Sequence, residues 1–123
     1  MKVYLAGPMR GIPKFNFPQF IEAAKNLREQ GYKVFNPAER DIKKYGDKVY
    51  NSPTGNVKTA KKTVGFSLRE ALCADTKYIC MEADAIAMLP GWKKSKGACA
   101  EHALAVALGH EVYILDKSLR IKD

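Results

Sequence analysis

Four short apolar runs, separated by stretches of helical spacing, limit the fold of this chain more tightly than any other feature. Val3 to Ala6 is closed by Gly7-Pro8, as a buried strand feeding a loop would be. Phe17, Phe20, Ile21, Ala24 and Leu27 then recur at helical spacing after Asn16, a residue suited to capping, with Pro18 in the first turn and Gly31 as the stop. Tyr32 to Pro37 reads as a second strand that Asn36-Pro37 ends. Ser67-Leu68-Arg69-Glu70 is a capping-box sequence opening a helix that runs to about Glu82. A third strand covers Ala83 to Leu89, a loop Pro90 to Gly97, a third helix Ala98 to Leu108, and a last strand Glu111 to Leu115 after Gly109. Such alternation predicts an α/β fold: a small parallel sheet of order about 2-1-3-4, with right-handed crossovers and helices on both faces in three layers. In that order the loops Gly7 to Pro13 and Pro90 to Gly97 leave adjacent central strands and face each other at the switch point, where ligands of such sheets gather.

The 123 residues suffice for one domain. Between Arg40 and Gly65 the pattern dissolves into Lys, Tyr, Gly, Asn, Ser and Thr, which reads as a basic insertion, either a solvated flexible loop or a lid over a site. Lys43, Lys44, Lys48, Lys58, Lys61 and Lys62 there supply much of a net charge of +8, which points to an anionic partner. Nucleic acid ranks below a phosphorylated small molecule as that partner, because the basic segment offers only Tyr45 and Tyr50 for stacking and no nucleic-acid motif. No apolar run approaches the ~20 residues of a membrane span, and the start of the chain lacks the apolar stretch of a secretory signal, so a cytoplasmic protein is expected. Cys73, Cys80 and Cys99 lie in apolar surroundings without ligand spacing and read as buried free thiols, with no metal or cofactor expected.

The third helix is apolar nearly all round, which predicts burial on several sides and, since a sheet covers only one, a homodimer or larger oligomer. Glu101 in its first turn shares a stripe with Leu104, Ala105 and Leu108, an odd place for a solvated carboxylate. It reads either as a complement to the helix dipole or as a desolvated nucleophile for a sugar carbon. The first loop carries Arg10 between residues Gly7 and Gly11, and the second carries Ser95 and Gly97 ahead of a helix N-terminus; together they suit a 5'-phosphate. Asp75 reads equally as a surface residue or as a proton donor, Asp84 as a turn acceptor, and His102 points about 100° away from Glu101 on the helix. Tyr4 reads as core, and Trp92 as a residue able to contact a sugar or base.

Tyr4-Leu5-Ala6-Gly7-Pro8-Met9-Arg10-Gly11, Asp84-Ala85-Ile86, Leu89-Pro90-Gly91-Trp92 and Ser95-Lys96-Gly97-Ala98-Cys99-Ala100-Glu101 form a set. The set resembles the nucleoside 2-deoxyribosyltransferase superfamily, most closely its short uncharacterised members common in phages and bacteria. The resemblance implies a Rossmann-like domain in which Glu101 attacks the anomeric carbon and forms a covalent glycosyl-enzyme. By similarity to the 5'-monophosphate N-glycosidases, Gly7, Arg10, Gly11 and Ser95 would bind phosphate, with Pro8 where a phosphate-binding serine often stands. Asp75 would assist the leaving base and Tyr4 would lie near the nucleophile. The chain lacks the longer C-terminal region of the transferases, so hydrolysis of a (deoxy)nucleoside 5'-monophosphate is expected rather than base exchange, with a nucleotide-binding module that lost turnover as the alternative.

Overall fold

The computed structural model describes residues 1–46 and 52–122. Its sheet has four parallel strands, β1 (Lys2–Ala6), β2 (Lys33–Phe35), β3 (Ala85–Met88) and β4 (Glu111–Ile114), in the order β2-β1-β3-β4. The helices are α1 (Phe17–Glu29), α2 (Pro37–Tyr45), α3 (Val57–Val64), α4 (Leu68–Met81) and α5 (Lys96–Ala107). This is the Rossmann-like α/β sandwich that the alternation of runs implies. Val3 to Ala6 and all of β3 are buried, as central parallel strands must be when helices cover both faces.

Side chains alternate across the sheet with the strand period of two. Val3, Leu5, Ala85 and Ala87 pack on one face with Phe17, Phe20 and Leu27 of α1, joined by Leu115, Leu119 and Ile121 from the C-terminal segment. Tyr4, Ala6, Ile86 and Met88 pack on the other with Ile79 of α4 and Ala98 and Ala105 of α5. The register pairs Tyr4 with Ile86 and Ala6 with Met88, so β1 and β3 end side by side. Their loops leave from that edge in contact. Leu89 donates its backbone N–H to the Ala6 carbonyl at 2.8 Å, and a Cβ on Gly7 would lie 2.6 Å from Leu89 Cβ.

Several local expectations are corrected. Asn16 adopts a left-handed conformation, as do Lys14 and Phe15 before it (φ 61, 58 and 50°). Its side chain makes no cap; the amide donates instead to the Pro8 carbonyl at 3.0 Å and to Gln19 at 2.8 Å, tying the first loop to α1. Ser67 does cap α4 by accepting from the Glu70 N–H, while the Glu70 carboxylate takes Lys44. Asp84 is the expected turn acceptor, receiving the Lys2 N–H at 2.9 Å. Cys73 and Cys80 are exposed and Cys99 half-buried, because α4 turns Ala71, Asp75 and Ile79 inward and its two cysteines outward. On α5 only Ala98, Glu101 and Ala105 are fully buried and Val106 is 55% exposed, so the chain itself covers one side of this helix.

The stretch from 40 to 65 is not one loop. Its first residues belong to α2, which Asn36 caps by accepting the Ala38 N–H, and its last form α3, capped by Asn56. Between them the segment 52–56 lies on the first loop: Gly11 N–H donates to the Gly55 carbonyl at 2.9 Å and Lys14 N–H to the Ser52 carbonyl at 2.6 Å. Gly55 has φ 66° and its Cβ would stand 2.2 Å from the Ile12 carbonyl oxygen, so only glycine fits. Ala60 and Phe66 then enter the core, making 52–66 a strap with its lysines outside. Lys48 and Tyr50 lie outside the described residues.

Replacing Gly7 with alanine forces Leu89 and β3 away from β1. We expect Gly7→Ala to cost about 1–3 kcal/mol in urea unfolding; an unchanged midpoint would show that the two loops are not packed this closely.

Candidate active site

Tyr4 on β1 points toward α4 and α5, and its hydroxyl donates to Glu101 Oε2 at 2.6 Å. Tyr4 is 1% exposed and stacks on Phe35. Because α5 starts at Lys96, Glu101 falls in its second turn rather than its first, where the helix dipole has faded. Its environment is set by burial. The carboxyl is 5% exposed and desolvation pushes its pKa up to about 8, against the opposing effect of the Tyr4 hydrogen bond. Burial likewise raises the Tyr4 hydroxyl well above its ordinary range, with the neighbouring Glu101 charge adding to it.

Asp75, on the inward stripe of α4, is buried beside Glu101. Burial raises its pKa and Arg40 lowers it through charge and a hydrogen bond from Nη1. The same guanidinium donates from Nε and Nη2 to buried Asp41 at 3.1 and 2.9 Å. Arg40 and Asp41 escaped the sequence reading, which placed them at the start of a loop. The signal was present in Asn36-Pro37, a cap followed by proline at the first helical position, which opens a helix as readily as it ends a strand.

These groups wall one end of a cavity of about 70 Å³ at the carboxyl ends of β1 and β3. Phe15, Phe17, Phe20, Phe66 and Leu68 make much of the rest of its lining apolar, and Val57 of the strap joins them. A second space of about 670 Å³ adjoins it between the two loops, lined by Arg10, Asn16, Gln19, Lys94, Ser95 and Lys96 among others. Met9, Arg10 and Ser95 line both, so the carboxyl chamber opens toward a basic groove.

Of the residues singled out from sequence, Tyr4, Gly7, Arg10, Asp75, Ser95, Gly97 and Glu101 all line the inner cavity, and Pro8 lines the groove. A Cβ on Gly97 would meet open space, so the backbone there faces room for a ligand. Ser95 Oγ is committed to the helix, accepting the Ala98 N–H at 3.1 Å. Two residues fall elsewhere. Gly11 spends its N–H on Gly55, and Trp92 stacks on His102 with ring centroids 4.5 Å apart; neither lines either space. Trp92 is drawn away because it packs, half-buried, against the core cluster that holds Ala98 and Ala105 of α5. Among the described residues no helix is long and apolar enough to cross a membrane.

Fold and site together define a Rossmann-like α/β protein with a buried carboxyl cluster at the strand ends. The chain belongs to the DUF4406 family, a domain of unknown function, whose family model matches residues 1–114. No curated protein matches it.

With its pKa raised from 4.5 to about 8, Glu101 keeps in the folded protein a proton that the unfolded chain releases. Its contribution to stability is therefore complete below about pH 4.5 and is lost as pH rises through about 8. Glu101→Gln, a neutral isostere, is expected to match the wild type in melting temperature at pH 5 and to exceed it by an amount that grows toward pH 8. A constant difference across that range would refute the buried, proton-bearing carboxyl.

Proposed function

We propose that this protein hydrolyses the N-glycosidic bond of a (deoxy)nucleoside 5'-monophosphate, with Glu101 as nucleophile. The observation that carries the reading is the Glu101 carboxyl, buried and oriented by the Tyr4 hydroxyl, facing a cavity that opens onto a basic groove. In this reading a Glu101 oxygen forms a bond to the anomeric carbon as the bond to the base breaks, and water then cleaves the sugar ester. The base occupies the apolar end among Phe15, Phe66 and Leu68, and the phosphate the Arg10 and Ser95 end, where α5 presents its first N–H groups. Sites for ligands of this size enclose about 300 Å³ or more. Substrate would therefore extend from the 70 Å³ chamber into the groove of about 670 Å³ that adjoins it.

Incubation with a panel of ribo- and deoxyribonucleoside 5'-monophosphates and nucleosides, with and without an acceptor base, tests the reading by chromatography of free base. Wild type is expected to release base, Glu101→Ala to release none, and Asp75→Asn to be slower by about 10²–10⁴-fold. Exchange that depends on the acceptor would make the protein a transferase. Binding without release across the panel would make it a nucleotide-binding module.

The reading includes a homodimer through the outer side of α5, where Ala100, Ala103, Val106 and Ala107 are exposed without a partner from the chain's own sheet. Sedimentation is expected to give twice the chain mass, and Val106→Lys to halve it; a wild-type monomer at micromolar concentration would end that part of the reading.

A further inference from the structure

Three carboxyl groups, Asp41, Asp75 and Glu101, line the inner cavity, each less than a tenth exposed, and one guanidinium reaches into the cluster from α2. Arg40 makes four hydrogen bonds there: Nε and Nη2 to Asp41 Oδ1, Nη1 to Asp75 Oδ1 and to the Ala71 carbonyl at 3.4 Å. It touches two of the three acids. Among the described residues no cation pairs with Glu101, and its own partner is a hydroxyl that donates to it. Two adjacent buried carboxylates without a second cation cannot both stay ionised, so one proton remains in the pair, and the acid touching the guanidinium is the one that gives it up.

We propose that Arg40 is the positioning residue that fixes where this proton resides: by holding Asp75 and Asp41 as carboxylates it leaves the proton on Glu101 in the free protein, hydrogen-bonded toward Asp75. Asp75 and Glu101 line the same cavity, and the Asp75 charge there pushes Glu101 further up. The remaining groups facing Glu101 are Tyr4 from β1, a donor whose own ionisation is pushed far up, and Arg10 of the first loop, which lines the same cavity.

The consequence for turnover rests on the glycosidase reading. The proton passes from Glu101 to Asp75 and on to the departing base nitrogen, which also receives the electron pair of the broken glycosidic bond. A lone pair of the freed Glu101 carboxylate makes the new bond to the anomeric carbon. Water then gives a proton to Asp75 and its hydroxide to the anomeric carbon, Glu101 leaves as carboxylate, and the proton returns to it. The same relay of Glu101 and Asp75 thus serves both half-reactions, the proton lost with the base being replaced by one from water, and Arg40 never gives or takes it.

Carboxyl ¹³C NMR of the full chain without substrate, with Glu101→Gln and Asp75→Asn used for assignment, tests the proposal. In wild type at pH 6 to 7, Glu101 is expected to be protonated and Asp75 ionised. In Arg40→Gln, Asp75 is expected to titrate ~1–3 pH units higher and to share the proton at neutral pH, and Arg40→Lys to restore the wild-type pattern. A proton found on Asp75 in wild type overturns the proposal, and that measurement does not depend on Arg40→Gln folding. Unchanged titrations in a folded Arg40→Gln overturn it equally. Should the base-release profile of Arg40→Gln be measurable, its pH dependence is expected to move with the NMR midpoint. Absence of release from wild type would sink the glycosidase reading alone, since the spectra locate the proton without turnover.

Discussion

The pairing of β1 with β3 fixes everything that follows in this molecule. Because the two strands are parallel neighbours joined by long crossovers, their loops leave from one edge, and because their register sets Ala6 beside Met88 those loops start at the same height. Leu89 fits against Gly7 only because glycine has no side chain. The same pairing aims Tyr4, by strand alternation, at the face covered by α4 and α5, while Val3 and Leu5 go to the α1 side. A shift of register by one residue would exchange these sets and remove the hydroxyl from Glu101 altogether.

Upon that frame the acids are gathered from three helices that are remote in sequence. The carboxyl of Glu101 comes from α5, that of Asp75 from α4, and the guanidinium that answers Asp75 and Asp41 from α2. Apolar neighbours surround them, so each charge is expensive unless matched, and the arrangement of hydrogen bonds decides which group bears it. Cost and specificity are here the same quantity. A buried acid that resists ionisation by burial is also one whose ionisation can be made to depend on what enters the cavity.

Strand order and the two facing loops were legible in the runs and spacings of the chain, whereas the approach of Tyr4 to Glu101 was implied only by the family resemblance, the residue itself reading as core. Asp75 read from its own helix equally as a surface residue or a proton donor; the structure turns it inward on α4, and the packing of α4 on α5 brings it to the cavity that Glu101 lines. Arg40, Val57 and Phe66 were lost in a stretch rich in lysine. A one-turn cap signal there competed with composition, and polar helices shorter than ten residues draw their stability from docking, which periodicity does not record. Trp92 and Gly11 were misplaced for the converse reason, since a loop's sequence does not say which of its residues turn toward its partner loop.

The strap is fastened to the first loop by backbone amides and carbonyls, with a glycine at the contact and lysines on its far side. Its attachment is therefore nearly independent of what side chains it displays to solvent. Replacing Lys58, Lys61 or Lys62 would change the charge this face displays while leaving the latch beneath it in place.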